Sequence, residues 1–200
     1  MLRLVLVTLG DPARPTGGYL FHRRLAELAP RFDARIDFLS FPNWPFPLPI
    51  AAGPRILRQS VQLQADGLVL DSIAAAYLGP WLGLRRHRLP VVGMLHQPPG
   101  GIDHGPLRTA VQVALDRLAY RSAHRLLVAS QVLAGKLAAA GFPHDAIRVV
   151  PPGRDVAAVS DESLVDLRLG RQAAFLCVGN WQPRKGIYCL LEAFARLPAG

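Results

Sequence analysis

An α/β architecture built on a doubly wound parallel sheet is predicted by three observations. Apolar runs of strand length recur along the first 150 residues, amphipathic stretches of helix length separate them, and the pair Gly17-Gly18 lies between the first run and the first such stretch. Runs that are apolar without alternation belong to strands buried on both faces, and such strands pair in parallel beneath two layers of helices.

The elements follow in order. Residues 3–9 form the first strand, because their apolar run is too short to span a membrane and has no small-residue cleavage site behind it. A helix is predicted over 19–32 and an alternating strand over 34–41. Pro42, Pro45, Pro47 and Pro49 then stiffen a loop that carries Trp44 and Phe46. A helix over 51–64 leads to a strand over 67–71, and a short helix over 73–82 leads, through the basic turn Arg85-Arg86-His87-Arg88, to a strand over 91–95. The next helix, 107–124, places Leu107, Ala110, Val111, Ala114, Leu115 and Leu118 on one stripe, which is expected to face the core. A strand over 126–129, a helix over 132–140 and a strand over 147–150 complete the set.

Pro151-Pro152-Gly153 ends that pattern, so residues 1–153 read as one domain and the more polar, punctuated 154–172 as a linker. Residues 173–200 open a second domain: a strand over 175–178, a glycine turn holding Arg184 and Lys185, and a helix with Ile187, Leu190, Leu191, Phe194 and Leu197 on one face. One strand and one helix cannot bury their own apolar surface, so this second part is expected to be incomplete.

The formal charge is +9, and among 23 basic residues only Lys136 and Lys185 are lysines. Such a balance suits anionic partners such as phosphorylated ligands or lipid headgroups. Nucleic acid is not expected as a partner, since no recognition module is present. Cys177 and Cys189 stand without a histidine cluster, which suits packed thiols in a reduced, cytoplasmic protein, with Cys177 buried in its strand.

Ligands of an open parallel sheet bind beyond the carboxyl ends of its strands. Gly17-Gly18, Asp71, His96 and Ser130 stand at those ends, and Arg184 and Lys185 stand at the equivalent place in the second domain. The glycine pair lets backbone N–H groups approach an anion at a helix N-terminus, or is simply a turn. It does not complete the G-x-G-x-x-G fingerprint, which argues against a nicotinamide or flavin enzyme. His96 leaves its strand into the stiff Pro98-Pro99-Gly100-Gly101 segment, where an imidazole orients a polar ligand or simply satisfies a loop. Asp103 and His104 are near enough to share that cleft, although capping a helix near Gly105 is the plainer role. Lys185 offers a compact ammonium to a diphosphate. The turn at Arg85–Arg88 reads as a solvated surface, with membrane contact as its alternative.

Four pieces in this order resemble family-4 glycosyltransferases of the GT-B fold: the glycine pair, His96 after the fourth strand, Ile147-Arg-Val-Val-Pro-Pro-Gly-Arg-Asp155, and Val178-Gly-Asn-Trp-Gln-Pro-Arg-Lys-Gly186. The last is the most specific. The resemblance implies two Rossmann-like domains, the first on the acceptor side and the second binding most of a nucleotide-sugar donor. It implies that Gly17 and Gly18 approach the donor diphosphate, that His96 is the catalytic residue facing the transferred sugar, and that Arg184 and Lys185 bind the donor. Transfer would retain the anomeric configuration and need neither cofactor nor obligatory metal, the nucleotide-sugar being a substrate. The acceptor would be a glycan, a lipid or a small molecule, and the protein cytoplasmic or peripheral at the inner membrane face.

Two residues depart from the family pattern: Asn180 replaces its usual arginine, and Pro152 replaces its usual asparagine. The family's later glutamate-rich motif would fall beyond Gly200, so the chain is expected to lack a complete active site and to be inactive alone. A non-catalytic module that binds an acceptor or partner, and a nucleotide-sugar epimerase of the same architecture, remain open as alternatives.

Overall fold

The computed structural model describes residues 1–14, 16–84, 89–154, 170, 173–179 and 181–197. The basic turn at 85–88, nearly all of the expected linker and Asn180 lie outside the described residues. The chain divides into two compact units, Met1–Gly153 and Arg154–Gly200.

The first unit is a six-stranded sheet in the order β2-β1-β3-β4-β5-β6. Its strands are β1 (Leu2–Leu9), β2 (Ala34–Phe41), β3 (Gly67–Asp71), β4 (Val91–Leu95), β5 (Arg125–Val128) and β6 (Ile147–Val149). Every ladder is parallel. Helices α1 (Gly17–Leu28), α2 (Gly53–Gln62), α3 (Ala75–Leu84), α4 (Pro106–Arg121) and α5 (Gln131–Ala139) connect the strands. The chain leaves β1 for β2 on one side and builds every later strand on the other, so the direction of winding reverses between β1 and β3.

The pleat sorts the apolar residues onto two faces. Val5, Val7, Leu68, Leu70, Val91, Leu95, Leu126 and Val128 join the larger core, with Leu78, Leu82, Leu133 and Leu137 from the helices. Leu6, Val69 and Met94 face the other way and meet Phe21 and Leu25 of α1. A one-residue slip in any strand would exchange these faces, so the register is firmly set.

Two close approaches fix the helical layer. A Cβ on Gly53 would fall 2.0 Å from the Trp81 ring, and the Trp81 indole N–H donates to the Ile50 carbonyl at 2.7 Å. A Cβ on Gly79 would fall 2.4 Å from the Leu115 carbonyl oxygen, so α3 and α4 cross nearly backbone to backbone. The Pro-rich loop after β2 is anchored at Phe46, whose ring meets Tyr77 and lies under the Arg108 guanidinium at 5.2 Å. Trp44 and Leu48 remain exposed.

The orientation of α4 corrects the sequence reading. Its buried residues are Gln112, Asp116, Ala119 and Tyr120. Leu107 is 80% exposed, and Val111 and Leu118 are about 40% exposed. Hydrophobic periodicity alone would turn the other stripe inward. The close crossing at Gly79 and a hydrogen bond from Gly100 N–H to Asp116 at 2.8 Å fix the helix by different contacts.

In the second unit a 3₁₀ turn, Pro183–Lys185, and Gly186 in the left-handed region (φ 66°) lead into α6 (Ile187–Ala195). The strand expected over 175–178 is absent among the described residues, because a parallel strand exists only beside a neighbour to bond. Cys177, expected to be buried there, is exposed, as is Cys189. The Phe175 and Phe194 rings meet edge to face at 5.1 Å.

Candidate functional site

The winding reversal opens a crevice at the carboxyl ends of β1 and β3, the place where open α/β sheets bind ligands. Thr8, next to last in β1, and Asp71, last in β3, are buried there. The Thr8 hydroxyl donates to Asp71 Oδ2 at 2.7 Å, while Asp71 Oδ1 accepts from the Ser72 hydroxyl at 3.3 Å and the Ile73 N–H at 3.4 Å.

Helix α1 lays His22 over this pair. His22 shares the inward face of α1 with Leu25 and is only 1% exposed. Its Nδ1 stands 3.8 Å from Asp71 Oδ2 and has no hydrogen-bond partner. Its Nε2 lies 3.3 Å from Nε2 of His96, at the exit of β4. The His96 backbone N–H donates to the Ser72 hydroxyl at 3.4 Å, and the Phe21 ring meets the His96 ring edge-on at 5.1 Å. Burial, the dominant cause, lowers the pKa of both imidazoles against the raising effect of Asp71. The Tyr19 hydroxyl bonds the Leu9 carbonyl, and its pKa is raised by burial first and the Asp71 charge second. Beside His96, residues Phe21, Leu25, Met94, Leu127, Val150 and Pro152 line an apolar recess.

The segment after His96 is tied down from behind. Gly100 (φ 95°) and Gly101 (φ 70°) take left-handed conformations that favour glycine. Gly100 N–H donates to the buried Asp116, whose carboxyl is pushed up to about 7 by burial against the lowering effect of that N–H.

The residues singled out in sequence fall into three places. His96 lies in the cluster just described. Gly17 and Gly18 open α1, the helix that carries His22, and a Cβ on either would meet nothing within 4 Å. Arg184 and Lys185 belong to the second unit, where the Lys185 stem runs beside Gly179, its Cε 3.7 Å from where a Cβ would be. Ser130 caps α5, accepting from Leu133 N–H at 3.2 Å. Helix α4 starts on Gly105 without a capping side chain, so the cap expected from Asp103 or His104 is not formed.

Sequence reasoning missed His22. The available signal was a histidine on a helix face that should otherwise be apolar, four residues beyond the glycine pair. His22, Asp71 and His96 offer three donor atoms within 4.8 Å of one another, of types that suit a transition ion. Asp71 Oδ2 is already engaged by Thr8, and the two rings bond each other.

Among known proteins, residues 2–158 match the model of Glycosyltransferase Family 4. No curated protein sequence matches the chain. Among solved structures, the chain is similar to Anabaena HepE in complex with UDP and glucose, at 20% identity and TM-score 0.63 over 100% of this chain and 59% of that one. It is also similar to the lipopolysaccharide outer core galactosyltransferase WaaB in its apo form, at 11% identity and TM-score 0.55 over 75% and 45% of the two chains. A third is the UDP-GlcNAc 2-epimerase of Methanocaldococcus jannaschii, at 9% identity and TM-score 0.55 over 76% and 46%. The chain thus spans about half the length of these proteins, and at such identities the likeness establishes the fold.

Proposed function

The chain belongs to Glycosyltransferase Family 4, and from that premise we propose that it serves a retaining transfer of a sugar from a nucleotide-sugar to a glycan, lipid or small-molecule acceptor. The observation that carries this reading is the place of His96, inside the matched region and at the exit of β4 beside the winding reversal. Support for a nucleotide-sugar comes from the HepE structure, which holds UDP and glucose.

In this reading residues 1–153 form the acceptor side, and His96 faces the sugar. The bond from the anomeric carbon to the diphosphate breaks and a bond to the acceptor oxygen forms on the same face. The acceptor proton leaves with the diphosphate. Stabilising that departing charge is the main catalytic demand, met by the N–H groups at Gly17 and Gly18 and by Arg184 and Lys185. No obligatory metal or cofactor enters. Among the described residues no helix is long and apolar enough to cross a membrane, and peripheral contact with an anionic membrane surface is part of the proposal.

The test is to screen the intact gene product against nucleotide-sugars, following nucleoside diphosphate release and the anomeric configuration of the product by NMR. His96→Ala should lower turnover with little change in melting temperature. Inverted product, or full turnover without the imidazole, would overturn the corresponding part of the reading.

A further inference from the structure

Four side chains from four elements form one line: Thr8 of β1, Asp71 of β3, His22 of α1 and His96 after β4. Both rings are neutral near neutral pH, because burial lowers their pKa values. A neutral imidazole carries one proton on one of two nitrogens, so the chemistry of His96 depends on which nitrogen that is.

The surroundings decide it stepwise. His22 Nδ1 is buried without a hydrogen-bond partner, and the Asp71 carboxylate stands 3.8 Å from it. An N–H dipole pointing at a carboxylate is favoured there, and a lone pair pointing at it is repelled. The proton of His22 therefore sits on Nδ1, leaving Nε2 as an acceptor. The 3.3 Å contact between the two Nε2 atoms holds a single proton, which His96 must then supply.

We propose that Asp71, acting through His22, holds His96 in the tautomer protonated on Nε2, so that His96 offers Nδ1 to its ligand as a hydrogen-bond acceptor. The group recognised is then a donor, a sugar hydroxyl, and not a carbonyl or phosphate oxygen. This rests on the reading that His96 faces the transferred sugar. His22 is a positioning residue in this scheme. It touches no substrate and acts by presenting its Nε2 lone pair.

The tautomers are read directly from two-bond nitrogen–proton correlations of the 200-residue chain labelled with ¹⁵N-histidine, at a pH where both rings are neutral. His96→Gln and His22→Gln identify the signals, and wild type needs no variant to give the answer. The expected pattern is His22 protonated on Nδ1 and His96 on Nε2. Asp71→Asn, which keeps size and loses the charge, should weaken or invert it. His96 protonated on Nδ1 in wild type, or a pattern indifferent to Asp71→Asn, would overturn the relay.

In the intact gene product, His22→Gln should lower kcat at least tenfold with the donor KM changed less than threefold. Full kcat in that variant, in an enzyme that loses turnover on His96→Ala, would also overturn it. Should the tautomers be as stated while His96→Ala keeps full activity, the relay stands and the sugar-facing reading of His96 falls.

Discussion

The Thr8 hydroxyl reaches across from β1 to Asp71 at the end of β3, and the 2.7 Å bond closes the floor of the crevice where the winding reverses. Neither residue is accessible, so Asp71 owes part of its solvation to one hydroxyl. Thr8→Val keeps the shape and removes the donor. An under-satisfied buried acceptor costs about 1–3 kcal/mol, and urea denaturation should show a loss of that size. An unchanged midpoint would mean that Ser72 and Ile73 satisfy the carboxylate alone.

A second buried acid gives a pH signature. Asp116 is pushed up to about 7 in the fold, against about 3.9 unfolded. The folded state then holds a proton that the unfolded chain releases. This contribution is fully present below about pH 4 and is lost as pH rises through about 7, with a slope of at most roughly 1.4 kcal/mol per pH unit. The lowered histidines have the opposite slope, losing stability as pH falls below their ordinary value near 6.5. The comparison to measure is therefore Asp116→Asn against wild type. Its melting temperature should gain at pH 8 and gain little at pH 4.5, and parallel curves would refute a raised Asp116.

Two glycines should respond in opposite ways. A Cβ on Gly100 would fall 2.6 Å from Val113 Cγ2, at a φ of 95° that alanine tolerates poorly. Gly100→Ala should destabilise by roughly 1–3 kcal/mol and disturb the segment that follows His96. Gly18 has open space and no left-handed φ, so Gly18→Val should leave melting unchanged. If the donor diphosphate approaches the glycine pair as proposed, the same variant of the intact gene product should still weaken donor binding, the added side chain standing in the way. Wild-type donor affinity would make the pair a plain connection.

Lys185 offers the cleanest single-charge test. If Lys185 pairs with the donor diphosphate as proposed, its Ala variant in the intact gene product loses a charge-assisted hydrogen bond of roughly 1.5–3 kcal/mol, which is about 10- to 150-fold in kcat/KM. An unchanged value would return Lys185 to the solvated surface.

Strands were the legible part of this chain. Leu68–Leu70 and Val91–Leu95 are bounded by turns and apolar throughout, and burial on both faces leaves such runs no alternative. The facing of α4 was not legible, because it is decided by Gly79 and Gly100, residues remote in sequence whose backbones come close only in the fold. His96 could be found from its place at a strand exit. His22 could not be separated from an ordinary helix residue, since its meaning comes from Asp71, which is 49 positions away in sequence. The expected strand at 175–178 shows the reverse limit: apolar composition names a candidate strand, but only a neighbour makes it one.

The Pro-rich loop after β2 is held inward by the Phe46 ring, between Tyr77 and Arg108, and by the buried Pro49, while Trp44 and Leu48 touch solvent. Changes at the tip leave the line from Thr8 to His96 untouched and expose no core. Most substitutions there are stability-neutral, so a lineage can drift through many tip sequences without passing through unfolded intermediates.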